Sequence, residues 1–295
     1  MKKAFLILLI SGLCCLSALG QASGNRTYNQ DTRNAGRRGA PTTGAVFTSD
    51  GNVVIEAYVL LNATADEYVA VFGAAQEATT PVESNQKVNA LIEQFLSGAE
   101  RLGIRRTETF VDFITQNRVY NFTRDNDGTI REVLTGFETK KTIAVRFKDY
   151  SLLEKLLAAA AQASIFDLIK VDYVVDDMNK VRSRLFDEAV SVVKQKEETY
   201  SRSLGMVMKR NALLQVTYDT HFPWELYQTY TAFESGAVDN YYNSNAPRVI
   251  RERKSSTSYL EPLDRSAFDS VVNPVGIEPK VQCTLYMKVL YSLAR

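Results

Sequence analysis

Histidine occurs once in this sequence, at His221, and only three cysteines are present, Cys14, Cys15 and Cys283. A zinc site draws three or four ligands from His, Cys and acidic side chains, so this inventory argues against one. Cys14 and Cys15 fall in a leader, and a thiol left alone makes no internal disulfide in any redox compartment. A packed core must therefore supply the stability. A Ser-His-Asp or Cys-His device would have to be built on His221, yet no Gly-x-Ser-x-Gly elbow accompanies it. Cys283 sits in an apolar alternation, where a thiol is inert packing. Neither a phosphate-cradling P-loop nor a dinucleotide glycine fingerprint occurs. These absences predict a protein that is not an enzyme and carries no cofactor or metal. A carboxylate pair of the glycosidase kind is the enzymatic alternative, because acidic residues are plentiful. The one adjacent pair, Asp176 and Asp177, is already explained as a helix cap.

Surplus charge is missing too. Lysine and arginine total 35 against 34 acids, and the leader takes Lys2 and Lys3 with it. A near-neutral chain has no global field to steer nucleic acid, so no nucleic-acid partner is expected. A long apolar run is also absent. Ala4 to Leu13 is apolar but falls short of the roughly 20 residues a membrane helix needs. It follows the basic Met1-Lys2-Lys3 and precedes Ala18-Leu19-Gly20. That order predicts a cleavable signal peptide over 1–20, with Gln21 first in the mature chain and no transmembrane span after cleavage. An uncleaved anchor is the alternative. Leu13 before Cys14, and Cys14 before Cys15, do not fit a lipidation site.

What is present reads as α+β. Residues 21–45 are polar, with Arg26, Arg33, Arg37 and Arg38 among few acids, and read as a flexible leader: a spacer, or a basic tail for an anionic surface. One α+β domain is expected over 46–295. Val53 to Ala63 and Glu67 to Ala75 have strand character. Thr80, Pro81 and Glu83 form a capping box with proline at the first helical position. Val88, Leu91, Ile92, Phe95, Ala99 and Leu102 recur at helical spacing, and Gly103 ends the helix. Residues 104–122 and 129–148 read as a long hairpin across the turn at Arg124-Asp125-Asn126-Asp127-Gly128. That turn lacks the ligand spacing and closing Glu of a calcium loop. Ser151 and Glu154 read as a second capping box, for a helix to about Ala163. Ile165 to Val175 is the next strand. Asp176 or Asp177 caps a long helix buried through Val181, Leu185, Ala189, Val192 and Val193, with Lys194, Lys196, Glu197 and Glu198 outward and Gly205 as the stop. Leu213 to Tyr218 reads as a short strand, and Lys280 to Leu293 as a well-buried one.

Two segments ask for more. Glu93 through Ile114 lines up with Glu154 through Val175 at a constant offset, so that Phe95/Leu156, Leu96/Leu157, Ala99/Ala160 and Ile104/Ile165 coincide in character. A duplicated helix–strand unit explains this, and chance likeness of amphipathic helices is the alternative. Residues 222–262 mix Trp224, Tyr227, Tyr230, Phe233, Tyr241 and Tyr242 with Ser, Asn and Gly, and contain the basic Arg248, Arg251, Arg253 and Lys254. A stretch without period inside a compact domain is often functional. Its aromatics suit a sugar or protein surface, or packing against the chain's own sheet or a neighbouring subunit. Trp224, Tyr227, Tyr230, Tyr241 and Tyr242 are the candidate ligand or partner surface.

The order of elements resembles the SIMPL-domain family of exported bacterial proteins. The resemblance is carried by Leu102-Gly103-Ile104 before the Thr107–Phe113 strand, Thr142 to Asp149 running into the Ser151 helix, Ile165 to Asp177, Leu204-Gly205-Met206, and Val275-Gly276-Ile277-Glu278-Pro279 before the last strand. It covers roughly 50–215 and 272–292, and the leader and residues 222–262 depart from it. It implies an α+β fold, a periplasmic or cell-surface location and no established enzymatic activity. Some members resemble building blocks of ring-shaped oligomers, and others are linked to stress tolerance. The expectation is a homo-oligomeric envelope module, with an envelope protein or glycan as further partner. A glycan-binding module is the second reading and an unrecognised hydrolase the third.

Overall fold

The computed structural model describes residues 44–48, 51–231, 256–274 and 278–294. The signal peptide, nearly all of the leader, Tyr241, Tyr242 and the basic residues 248–254 lie outside the described residues. The chain divides into two compact units, one of 43–228 with 260–295 and one of 1–42 with 229–259.

The larger unit holds two sheets and three helices. In the first sheet β2 (Asn52–Ala63) pairs antiparallel with β11 (Val281–Ala294), which pairs with β7 (Val207–His221). The outer edge of β2 carries β1 (Ala45–Phe47) and β10 (Ser270–Val272). The long helix α3 (Met178–Leu204) lies on this sheet. The face beneath it is apolar: Ala57 stands opposite Met287, and Ile55 opposite Val289, all buried. The other face is mixed and includes polar pairs, Asn62 opposite Gln282 and Glu56 opposite Lys288. The chain at 260–273 closes over that face. Leu263 donates its amide to Gln282 at 2.7 Å, Asn62 donates to the Asn273 carbonyl at 3.0 Å, and Phe268 stacks on Tyr58 at 4.4 Å. Buried polar groups stay because each finds a partner.

The second sheet runs β4 (Thr109–Arg124), β5 (Ile130–Phe147), β3 (Glu67–Ala78), β6 (Asp167–Val174), antiparallel throughout. Helices α1 (Pro81–Arg101) and α2 (Leu152–Gln162) complete it. The order β3-α1-β4-β5-α2-β6 with this strand arrangement is the split β–α–β, ferredoxin-like unit. Phe72, Ile143 and Val145 face α1, whose Val88, Ile92 and Phe95 are buried. One hydrophobic core joins residues of both sheets and all three helices. The fold is α+β, as expected.

The duplicated unit is visible at the helix ends. In α1, Gly103 donates to the Glu100 carbonyl and Ile104 to the Ala99 carbonyl. In α2, Ser164 donates to Ala161 and Ile165 to Ala160. Each residue of the first set matches one of the second at the sequence offset, and Gly103 and Ser164 both have positive φ. The two closures are the same Schellman motif. Burial follows the offset at Phe95/Leu156, Ala99/Ala160 and Ile104/Ile165, but Leu157 is half exposed where Leu96 is buried.

Three local expectations need correction, at Ser151, Lys196 and the strand at Leu213, and one alternative is resolved, at Asp177. Ser151 does not cap α2: it is itself helical and makes no side-chain cap bond. Asp149 accepts from both the amide and the hydroxyl of Ser151 and does the capping instead. Of the two cap candidates for α3 it is Asp177 that caps, accepting from the Lys180 amide, while Asp176 donates its amide to Asp66. Lys196 is not outward. It reaches Asp269 at 2.6 Å and the Glu56 carbonyl at 2.8 Å, which fixes α3 to the edge of β2. The strand expected at Leu213 to Tyr218 extends over Val207–His221, and register shifts against β11 in its middle break the alternation that would have marked its length.

Candidate interaction surface

Beyond Phe137, the partner of the last β3 residue, strands β4 and β5 leave the sheet and continue as a two-stranded ribbon. It spans six residue pairs, or roughly 20 Å at strand rise. Turn chemistry closes it: the Asp125 amide donates to Thr129, the Gly128 amide donates to Asp125, and Gly128 takes φ of +87°. Hydrogen bonds from Thr129 hold the Asp127 carboxyl below its usual range.

The register sorts the ribbon's faces. Gln116 opposite Thr139 marks the helix-side face, because Thr139 is buried against Ser84 of α1. Alternation from there puts Tyr120 with Leu134, Phe122 with Glu132 and Arg124 with Ile130 on the same side. Thus the face that α1 covers lower down runs on uncovered. Phe122 is 71% exposed and Ile130 67%. Tyr120 and Leu134 are exposed beside them. An isolated two-stranded ribbon is marginal in water, and exposed aromatics with arginine are what protein interfaces use.

A second feature lies between α3 and the β7 side of the first sheet. Phe186, Val190, Val193, Leu213, Met287 and Val289 line a half-open cavity of about 120 Å³. Arg210 stands at it, donating to the Tyr291 hydroxyl at 3.2 Å and pairing with Glu197 at 3.5 Å. The cavity exists because β7 is an edge strand that α3 barely touches: Leu213 is half exposed.

The sequence-predicted aromatics split up. Trp224 sits in the single turn Pro223–Glu225 and is 57% exposed. Tyr227 opens β8 (Tyr227–Thr231), which pairs with β9 (Ser256–Leu260). Burial, then the neighbouring Tyr150 phenol, pushes the Tyr227 phenol up. Tyr150 in turn packs with Tyr68 and Tyr173. Tyr230 is exposed and belongs to the smaller unit. Trp224 and Tyr227 belong to the larger unit, and Tyr241 and Tyr242 lie outside the described residues.

A family model described as SIMPL, protein of unknown function (DUF541), matches residues 53–262. The chain belongs to the SIMPL family. The match includes residues 222–262, where the chain departs from the family on its residues alone, and stops short of β11. No curated protein matches the chain.

In this SIMPL chain His221 ends β7, half buried and 3.8 Å from Glu225. Cys283 is buried in β11, and burial pushes its thiol up. Among the described residues no three His, Cys, Asp or Glu side chains gather as a metal site. No described helix is long and apolar enough to cross a membrane. What the sequence missed was the ribbon's bare face. The alternation of Tyr120 with Phe122 was legible, but only the end of β3 at Ala78 reveals that nothing covers it.

Proposed function

We propose that this SIMPL protein is a non-enzymatic module of the cell envelope, exported by its leader, and acts as a self-associating scaffold. The observation that carries the reading is the ribbon of β4 and β5, which extends an otherwise covered apolar face into solvent. Apolar faces of this kind mark interaction sites in soluble proteins, and a second copy would remove Phe122 and Ile130 from water. The test is the solution mass of the mature chain from Gln21, by light scattering on gel filtration. A discrete oligomer supports the scaffold, and a monomer at every concentration sinks it.

The exposure of Trp224 supports a second reading, a glycan- or surface-binding module using the aromatic segment. An indole with one face bare suits a sugar ring. A glycan-array signal lost in Trp224→Ala would carry that reading; no signal on the array for the unaltered chain would remove it.

A further inference from the structure

A sheet edge is a row of backbone donors and acceptors with nothing to bond, and folded proteins blunt such edges by shortness, bulges, charge or cover. Strands β1, β6 and β7 follow that rule. Strand β1 has three residues. Strand β6 is short, is interrupted by a register shift, carries the Lys170–Asp172 pair and has the turn Pro223–Glu225 against it. Strand β7 has two register shifts and the charges of Lys209 and Arg210. Strand β4 is different. It runs for 16 residues without proline or lysine and pairs only with β5. Among the described residues nothing else bonds to its backbone over 110–118. Asp112 and Arg118 are its only charges before Arg124, and neither has an ion-pair partner among the described residues. Phe110, Phe113 and Ile114 are each more than half exposed.

We infer that the outer edge of β4 at residues 109–113 receives an extended segment of another protein, added antiparallel as a further strand of the second sheet. The form of the occupant follows from the edge, because only an extended backbone meets a row of N–H and C=O groups at strand spacing. Up to the bulge at Ile114 the strip is regular, each residue of 109–113 standing opposite one of 141–145. The side chains of the occupant follow from the two faces. Phe110 and Asp112 lie on the face away from the helices, Val111 and Phe113 on the other. Beside Phe110 is a hollow of about 190 Å³, lined among others by Val69, Thr107, Ala144 and Arg146, which gives one side chain of the segment a seat. Asp112, two residues on, requires a basic partner. The segment therefore carries β-branched residues, with lysine and an apolar side chain two apart on one face. A second copy's β4 does not fit this pattern. The residues that share the face of Asp112 there are Phe110, Thr115, Asn117, Val119 and Asp112 itself, none of them basic.

The experiment uses the mature full chain and a fluorescent heptapeptide, Thr-Val-Lys-Thr-Val-Val-Thr, with binding read by anisotropy and by amide exchange of β4. Binding should slow exchange at residues 110–113. A fully N-methylated peptide keeps the side chains and loses the backbone donors, and should bind at least about 10-fold more weakly. Asp112 is exposed, so Asp112→Lys should keep the fold, with circular dichroism to confirm it. That variant should bind the lysine peptide about fivefold more weakly and should prefer the same peptide with glutamate in place of lysine. No binding of the parent peptide, equal binding of the N-methylated one, or an unchanged preference in Asp112→Lys overturns the inference. Slow exchange at 110–113 in the concentrated free chain, lost on dilution, also overturns it, because the edge then belongs to a second copy.

Discussion

Gly98 of α1 and Ala159 of α2 hold equivalent positions in the two helix–strand units, and they touch. A Cβ placed on Gly98 would lie 3.1 Å from the Ala159 Cβ. Equivalent residues meet only where a local two-fold axis passes between them, so the sequence offset has a spatial counterpart at the α1–α2 contact. Glycine costs about 1 kcal/mol in a helix interior, and close approach of the two helices explains its place here. Gly98→Leu should destabilise by about 1–3 kcal/mol through overpacking. Adding Ala159→Gly to that variant should cost less than the same change costs alone, since it opens room for the leucine. Urea unfolding of the four proteins of the cycle checks this; strict additivity would show that the contact is not shared.

The same axis relates Gly103 to Ser164, which share one conformational task with unequal residues. Ser164 has φ of 59°, a region that costs a side chain roughly 1–2 kcal/mol. Ser164→Gly should therefore raise stability by up to about 1 kcal/mol, after the entropy that glycine loses on folding. Gly103→Ser should lower it. The measurement is the thermal midpoint of each variant, and a fall for Ser164→Gly would contradict the strain argument.

These paired ends show what the residues alone could carry. Helix α1 was legible because its cap, proline and stop are local signals, and Thr80 does accept from the Glu83 amide. The likeness of the two units was legible as a constant offset. Strand β7 was not, since its register shifts hide the period of two. The bare ribbon face and the cavity depend on where β3 ends and on how little α3 covers β7, which are tertiary facts. The aromatic character of residues 222–262 was legible, but the exposure of Trp224 and Tyr230 was not, because exposure is set by tertiary packing.

Cys283 tests the buried strand without any mutation. Its thiol lies in β11 and burial raises its pKa, so the reactive thiolate is scarce at neutral pH. In the mature chain a thiol reagent at pH 8 should modify it only as fast as the core opens, and denaturant should expose it fully. Labelling in native buffer at the rate of a free thiol would mean that β11 is not buried as described.

Glu108 ties the short turn Arg106–Glu108 to Arg105, accepting from its guanidinium and its backbone amide, each at 2.9 Å. These bonds hold its carboxyl down at about 2, below its ordinary value of 4.5. A depressed carboxyl contributes stability above its unfolded pKa and loses it as pH falls through the folded one. The effect should thus appear between pH 4.5 and about 2. It should be small, because the pair is exposed and screened. Glu108→Gln should flatten the acid limb of the stability curve in that window and leave neutral pH nearly unchanged. A limb identical to that of the unaltered chain would remove Glu108 from the acid response.

Lys196 and Asp269 make the strongest claim about what holds the first sheet closed. Their side chains are 19% and 14% exposed and meet at 2.6 Å. Lys196 also donates to the Glu56 carbonyl of β2, and Asp269 accepts the Tyr58 amide of the same strand. One charged pair thereby joins α3, the edge of β2 and the segment leading into β10. Breaking a buried pair strands the remaining charge, at a cost of about 3–5 kcal/mol, whereas removing both partners can be nearly neutral. Lys196→Met alone should therefore destabilise by a few kcal/mol, discounted for the residual exposure. Asp269→Asn added to it should recover much of the loss, since asparagine still accepts from Tyr58 but carries no charge. Chemical unfolding of the single and double variants decides it. A double variant as unstable as the sum of its parts would mean that the pair acts through packing, and that the cover over the polar face is held elsewhere.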